Sequence, residues 1–174
     1  MLASLAQPIR RWHLVVGTYL GVFVLTTAGA LYGAGGFAAI LGFKTGVWTA
    51  APLAAALLAS VAFASIYGVM LAAATFARSA ALSAAAGIAV FVLGIVASFR
   101  PTISEAFEPG LARSAFQVLS MPVPRIASLG VYAGDIAASA AIEPAPFARV
   151  LSGVVLVGLS ALAVGVWHFE RKDF

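Results

Sequence analysis

The residues able to carry chemistry are few and unevenly placed. Six acids (Glu105, Glu108, Asp135, Glu143, Glu170, Asp173) and two histidines (His13, His168) are the whole acid–base inventory of 174 residues, and cysteine is absent. Without a thiol there is no disulfide, thiolate metal site or cysteine nucleophile. No acid precedes position 105. Proton relays and intramembrane hydrolases need ionisable groups inside apolar segments, and the long apolar segments here hold no acid and only His168, at the edge of the last. The methionines (Met1, Met70, Met121) are scattered, and no pair of histidines stands at metal-ligand spacing. His13 and His168 each follow a tryptophan, Trp12 and Trp167, at the edge of an apolar run. That placement reads as an interfacial belt of aromatic and amphipathic side chains. No catalytic, cofactor-binding or metal residue is assigned, and the chain is not expected to be an enzyme.

Two strings imitate nucleotide sites. Gly36 to Thr45 reads G-F-A-A-I-L-G-F-K-T. A phosphate loop needs Gly-Lys-Ser/Thr contiguous, so that the lysine reaches phosphates cradled by the glycine backbone. Here Phe43 separates Gly42 from Lys44, Gly36 is one residue too distant, and no strand precedes the string. Gly33-x-Gly35-x-x-Ala38 matches a dinucleotide fingerprint by letter, but at the end of an apolar run with no β-α-β unit around it. Any nucleotide chemistry is therefore expected in another subunit.

The elements that would position these residues are apolar helices. The chain is 63% hydrophobic and 9% charged, with mean hydropathy +1.06. A soluble domain carries about 25% charged residues, so too little polar surface exists to cover a globule in water. Crossing about 30 Å of hydrocarbon takes roughly 20 apolar residues at about 1.5 Å each. Cutting at the charges leaves four such segments, about 14–37, 47–76, 80–99 and 150–169. The sequence predicts an all-α integral membrane protein, with 1–174 forming a single transmembrane domain. The first run is too long for a signal-peptide core, and no cleavage site follows it.

Four spans put both termini on one side. The ten cations divide evenly: Arg10, Arg11, Arg78, Arg171 and Lys172 against Lys44, Arg100, Arg113, Arg125 and Arg149. The first group is packed into short connections, whereas the second is spread over a long one and diluted by four acids. By density, the positive-inside rule predicts cytoplasmic termini in the cell (inner) membrane. The net charge of +4 and pI near 10.0 are assigned to topology and anionic headgroups, with no nucleic acid expected.

An outer loop is expected over 100–149. Ile103, Phe107, Leu111 and Val118 recur at near-helical spacing, Met121-Pro-Val-Pro124 breaks that pattern, and a second helix is predicted over Ile126–Ala141. Glu143-Pro-Ala-Pro146 then leads to the last span. Two short helices lying on, or dipping into, the outer membrane face fit this pattern. Within the spans, Gly17-x-x-x-Gly21, Gly29-x-x-x-Gly33 and the alanine tract from Ala54 to Ala64 are the small-residue spacing that lets helix backbones approach.

The two ends add a resemblance. Leu5 to Gly21, through Pro8, Ile9, Arg11, Trp12, Gly17 and Gly21, resembles the segment before the third span of ABC transporter type-2 permeases, with Thr18 where a lysine is common. Phe169-Glu-Arg171-Lys172-Asp-Phe174 resembles the Phe-x-Arg-Arg-Asp-Leu ending of that family, and Ala77-Arg78-Ser79 its short cytoplasmic turn. The order of elements agrees over the whole chain, which by this resemblance lacks the family's first two spans. The resemblance implies a permease subunit of an exporter-like ABC transporter. Its implied partners are a separate ATPase subunit, a second permease subunit and membrane lipids. It implies an ATPase contact at Pro8, Ile9, Arg10, Arg11 and Trp12, where the arginines and Trp12 also serve as topology and depth signals. Arg78, Trp167, Arg171 and Lys172 are then interfacial anchors. Composition equally allows a small four-span scaffold without an ATPase. An enzyme would have to draw all its catalytic groups from the outer-loop acids.

Overall fold

Where the sequence runs for about 20 residues with little charge, the chain is helical, as the need to satisfy every backbone amide in hydrocarbon demands. The computed structural model describes residues 11–77, 79–108, 110–120, 123–138 and 140–171, with no side-chain description at Arg11. Seven helices follow in order: α1 (Arg11–Thr45), α2 (Ala51–Ala77), α3 (Ala80–Ser98), α4 (Arg100–Glu105), α5 (Leu111–Ser120), α6 (Ile126–Ala137) and α7 (Pro144–Arg171). Among the described residues there is no strand. Four of the helices, α1, α2, α3 and α7, are long and apolar enough to cross a membrane.

Local chemistry sets the helix ends. Gly46 stops α1 in the left-handed conformation (φ 74°), its N–H donating to the Gly42 carbonyl at 2.9 Å. Thr49 Oγ1 accepts from the Ala51 N–H at 3.2 Å, and Pro52 sits in the first turn, where no donor is needed. Ser79 caps α3 by accepting from the Leu82 N–H.

The helices of the first and last spans run past the apolar cores of 14–37 and 150–169 read from the sequence. Lys44 does not end the first, since α1 runs to Thr45; its 35 residues reach about 52 Å, more than a bilayer's hydrocarbon needs. The last starts at Pro144 instead of near Val150, because prolines at the first turn lose nothing. Arg149 consequently lies on α7.

Packing centres on α2, which touches α1, α3, α6 and α7. Its contact with α7 is a seam of small residues. A methyl group on Gly158 would lie 2.7 Å from Ser65 Cα, one on Gly165 would lie 2.9 Å from Ala72 Cα, and one on Gly68 would lie 2.7 Å from the Gly158 carbonyl. Residue numbers rise together along both helices, so α2 and α7 run parallel. On the opposite flank the Tyr19 hydroxyl donates to the Ala64 carbonyl (3.1 Å), while Gly35 faces Leu53, making α1 antiparallel to α2. Ser83 Oγ donates to the Met70 carbonyl (2.7 Å) and ties α3 to α2.

The distribution of side chains is inverted relative to a water-soluble protein. The fully buried residues are few, Val154 among them, whereas Leu25 is 75% and Tyr32 87% exposed, and Ile40, Ile88, Phe91 and Leu159 also face outward. In water that surface would be strongly unfavourable; hydrocarbon solvates it at no cost.

Between α3 and α7 the predicted helix over Ile103–Val118 is two helices. Pro109 lacks a donor and Gly110 has low helix propensity, and α5 folds back so that Phe107 meets Phe116 at 5.5 Å. The second predicted helix ends at Ala137, short of Ala141. The Ala140 N–H donates to the Asp135 carbonyl at 2.9 Å, a six-to-one closure that terminates it. Nor does α6 lie flat on a surface. Ile126 covers Gly94, a turn inside the end of α3, and the Ser128 N–H donates to Ser98 Oγ at 3.1 Å. The helix thus begins within the bundle, with Leu129 1% exposed, and runs back towards the end where α3 stops.

Candidate functional site

The helical bundle has two chemically different ends. The packing directions place the start of α1, the end of α2 and the end of α7 together. Phe76 stacks on His168 with ring centroids 3.9 Å apart. The Arg171 guanidinium lies over the Trp167 ring at 4.2 Å, a cation–π geometry. The Trp12 and His13 rings lie 3.8 Å apart at a tilt of 31°. These rings make the aromatic border that the Trp-His pairs suggest. Of the residues assigned to an ATPase contact, Pro8, Ile9 and Arg10 lie outside the described residues, as do Arg78 and Lys172 among the anchors. Arg11 opens α1, and Trp12, Trp167 and Arg171 stand at this end.

At the opposite end four elements converge on a cavity of about 570 Å³. Arg100, where α3 gives way to α4, Arg125, just before α6, and Arg149, on α7, all line it, with Ser128 and Tyr132 of α6 beside them. Its floor continues along α7 through Val150, Gly153, Leu156 and Val157. Tyr132 meets Phe147 edge-on at 5.2 Å and holds α6 against the start of α7. The Arg100 Nη2 donates to the Ser120 carbonyl, closing α5 over the same region.

The electrostatics of this cavity are one-sided. Among the described residues no acidic side chain lines it. Arg100 Nε is enclosed with no hydrogen-bond partner among the described residues, a costly state for a charged donor. Burial, and secondarily the positive charge of Arg125, push the Arg100 guanidinium below its ordinary range. It stays cationic at any physiological pH, so the site carries uncompensated positive charge. A group of guanidinium forks without carboxylates is suited to an oxyanion.

Sequence reasoning treats Arg100, Arg125 and Arg149 as topology charges diluted by nearby acids. The four acids do not line the cavity: Glu105, Glu108 and Glu143 are exposed, and Asp135 of α6 is half-buried outside its lining. The Gly36–Thr45 string lies within α1, so its amides serve the helix and cannot cradle a phosphate. Among the described residues no three His, Cys, Asp or Glu side chains gather at metal-binding distance.

Fold and surface together define a multi-pass helical membrane protein with a cationic cavity at one end. No family model matches the sequence, and no curated protein and no solved structure matches it either.

Proposed function

We propose that the chain is a membrane-spanning permease subunit of an exporter-like ABC transporter in the cell (inner) membrane, paired with a second permease subunit and driven by a separate ATPase. The observation that carries this reading is that the start of α1 and the end of α7 lie at the same end of the bundle, as the packing directions require. The start of α1, at Arg11 and Trp12, and the end of α7, at Trp167 to Arg171, are far apart in sequence and share one end of the bundle. That end is the cytoplasmic one in this proposal, with Pro8 to Trp12 touching the motor. ATP binding in the partner would bias the spans between two packings. The parallel α2–α7 seam makes those two helices a unit that moves together, with α1 and α3 around it.

Affinity purification of the full chain from its native membrane tests this. A co-purifying polypeptide that carries a phosphate-loop sequence, lost from the Arg10→Glu, Arg11→Glu double variant, supports the proposal. Recovery of the chain with no such ATPase overturns it and leaves the four-span scaffold. An ATPase retained by the double variant removes the assigned contact.

A further inference from the structure

The cavity at the far end from α1's start has a shape and charge that the permease reading does not use. Its wall is cationic, through Arg100, Arg125 and Arg149, and its floor is the apolar face of α7 at Gly153, Leu156 and Val157. Leu156 is itself exposed on the outside of the bundle, so the floor opens sideways onto the surface that hydrocarbon covers. Gly153 leaves the floor unfilled: a methyl group built there meets nothing within 4 Å. Arg100 Nε is enclosed without a hydrogen-bond partner among the described residues, so the protein leaves part of this guanidinium's bonding capacity unused.

The geometry points to a binding site for a phosphate-bearing anion, held by Arg100, Arg125 and Arg149 at the end of the bundle opposite the aromatic border. Guanidinium forks bind phosphate oxygens in pairs. A cavity that continues along α7 gives any hydrocarbon attached to that phosphate a place to lie, so a phospholipid headgroup and a soluble phosphate are both sources of the anion. The site stands on the cavity alone, whatever drives the bundle.

The test uses the purified full chain in dodecyl maltoside, with binding read by native mass spectrometry and by thermal shift. The probes are dioleoylphosphatidylglycerol, dioleoylphosphatidylcholine, and sodium phosphate against sodium chloride at matched ionic strength. Saturable binding of phosphatidylglycerol in preference to phosphatidylcholine identifies a lipid source. A thermal shift with inorganic phosphate, and none with phosphatidylglycerol, identifies a soluble one. Arg149→Gln is the first variant, because Arg149 is exposed on α7 and leaves the Arg100–Ser120 closure in place. It should weaken whichever anion binds about tenfold, the worth of one charge-assisted contact. Arg113→Gln removes the same charge outside the cavity and should change affinity less than twofold. Gly153→Leu fills open space, so it should weaken lipid binding while sparing inorganic phosphate. Absence of saturable binding by either anion overturns the proposal, as does equal weakening by Arg113→Gln and Arg149→Gln, which would mean diffuse surface attraction.

Discussion

Replacing Gly158 by alanine should open the bundle. The added Cβ would sit 2.7 Å from Ser65 Cα and 3.1 Å from Ser65 Cβ. Carbon atoms pack at about 3.5–4.0 Å, so the shortfall is about 1 Å. The nearer atom is backbone, and a backbone atom cannot rotate away as a side chain can. The two helices must therefore part. The neighbouring close approach of Gly165 to Ala72 then loosens as well, and gaps of about 0.5–1 Å forfeit a quarter to a half of each dispersion contact. Overpacking of this kind costs about 1–3 kcal/mol, against a helix-propensity gain of about 0.5–1 kcal/mol for losing a glycine. A net loss of up to about 2.5 kcal/mol is expected. Gly21→Ala is the matched control, because a methyl group there meets nothing within 4 Å; it should be neutral or up to about 1 kcal/mol more stable. Reversible unfolding of the full chain from dodecyl maltoside micelles by added SDS, followed by circular dichroism, measures both. If Gly158→Ala unfolds at the same SDS fraction as Gly21→Ala, the α2–α7 seam is not where the structure puts it.

Ser65 is 2% exposed and its hydroxyl is enclosed without a hydrogen-bond partner among the described residues. Ser65→Ala should therefore be neutral or stabilising by up to about 1 kcal/mol in the same SDS titration, and a loss of that size would reveal a bonded hydroxyl. Gly46 holds φ 74° at the end of α1, so Gly46→Ala should cost about 1–2 kcal/mol; an unchanged midpoint would mean that the turn adopts another conformation.

The spans were legible because hydrocarbon imposes one rule, an uninterrupted apolar run, and charges mark where it stops. Their ends were less so. Lys44 and Arg149 lie on helices because a long side chain at a helix end reaches the interface without breaking the helix, so a charge bounds the hydrocarbon and not the helix. Of the glycine pairs visible in α1, Gly17, Gly21, Gly29 and Gly33 have no atom near their missing Cβ positions, whereas another helix's backbone comes close at Gly68, Gly158 and Gly165, and side chains do so at Gly42, Gly87 and Gly94. A spacing of four shows where a backbone can be approached, not which helix approaches it. Hardest to see was the cationic cavity. Arg100, Arg125 and Arg149 are separated by some two dozen residues each, and the sequence does not show that the start of α6 packs against Gly94 of α3. Within that stretch Met121-Pro-Val-Pro124 marked the break in the helix but not its depth. The ATPase contact read from Pro8 to Trp12 rests on the resemblance, and only Arg11 and Trp12 of that set fall among the described residues.

The central claim is that the exposed apolar belt faces hydrocarbon and that the helices cross it four times. The natural sequence has no cysteine, so each introduced one is the sole thiol for a membrane-impermeant maleimide applied to whole cells. In the proposed orientation, with both termini cytoplasmic, Ala50→Cys, before α2, and Ala141→Cys, before α7, should label from outside. Ala80→Cys, at the start of α3, should label only after permeabilisation. Leu25→Cys, on the exposed face of α1, should not label until the membrane is dissolved. Labelling of Ala50→Cys and Ala80→Cys from the same side, or ready labelling of Leu25→Cys in intact membranes, would contradict the account.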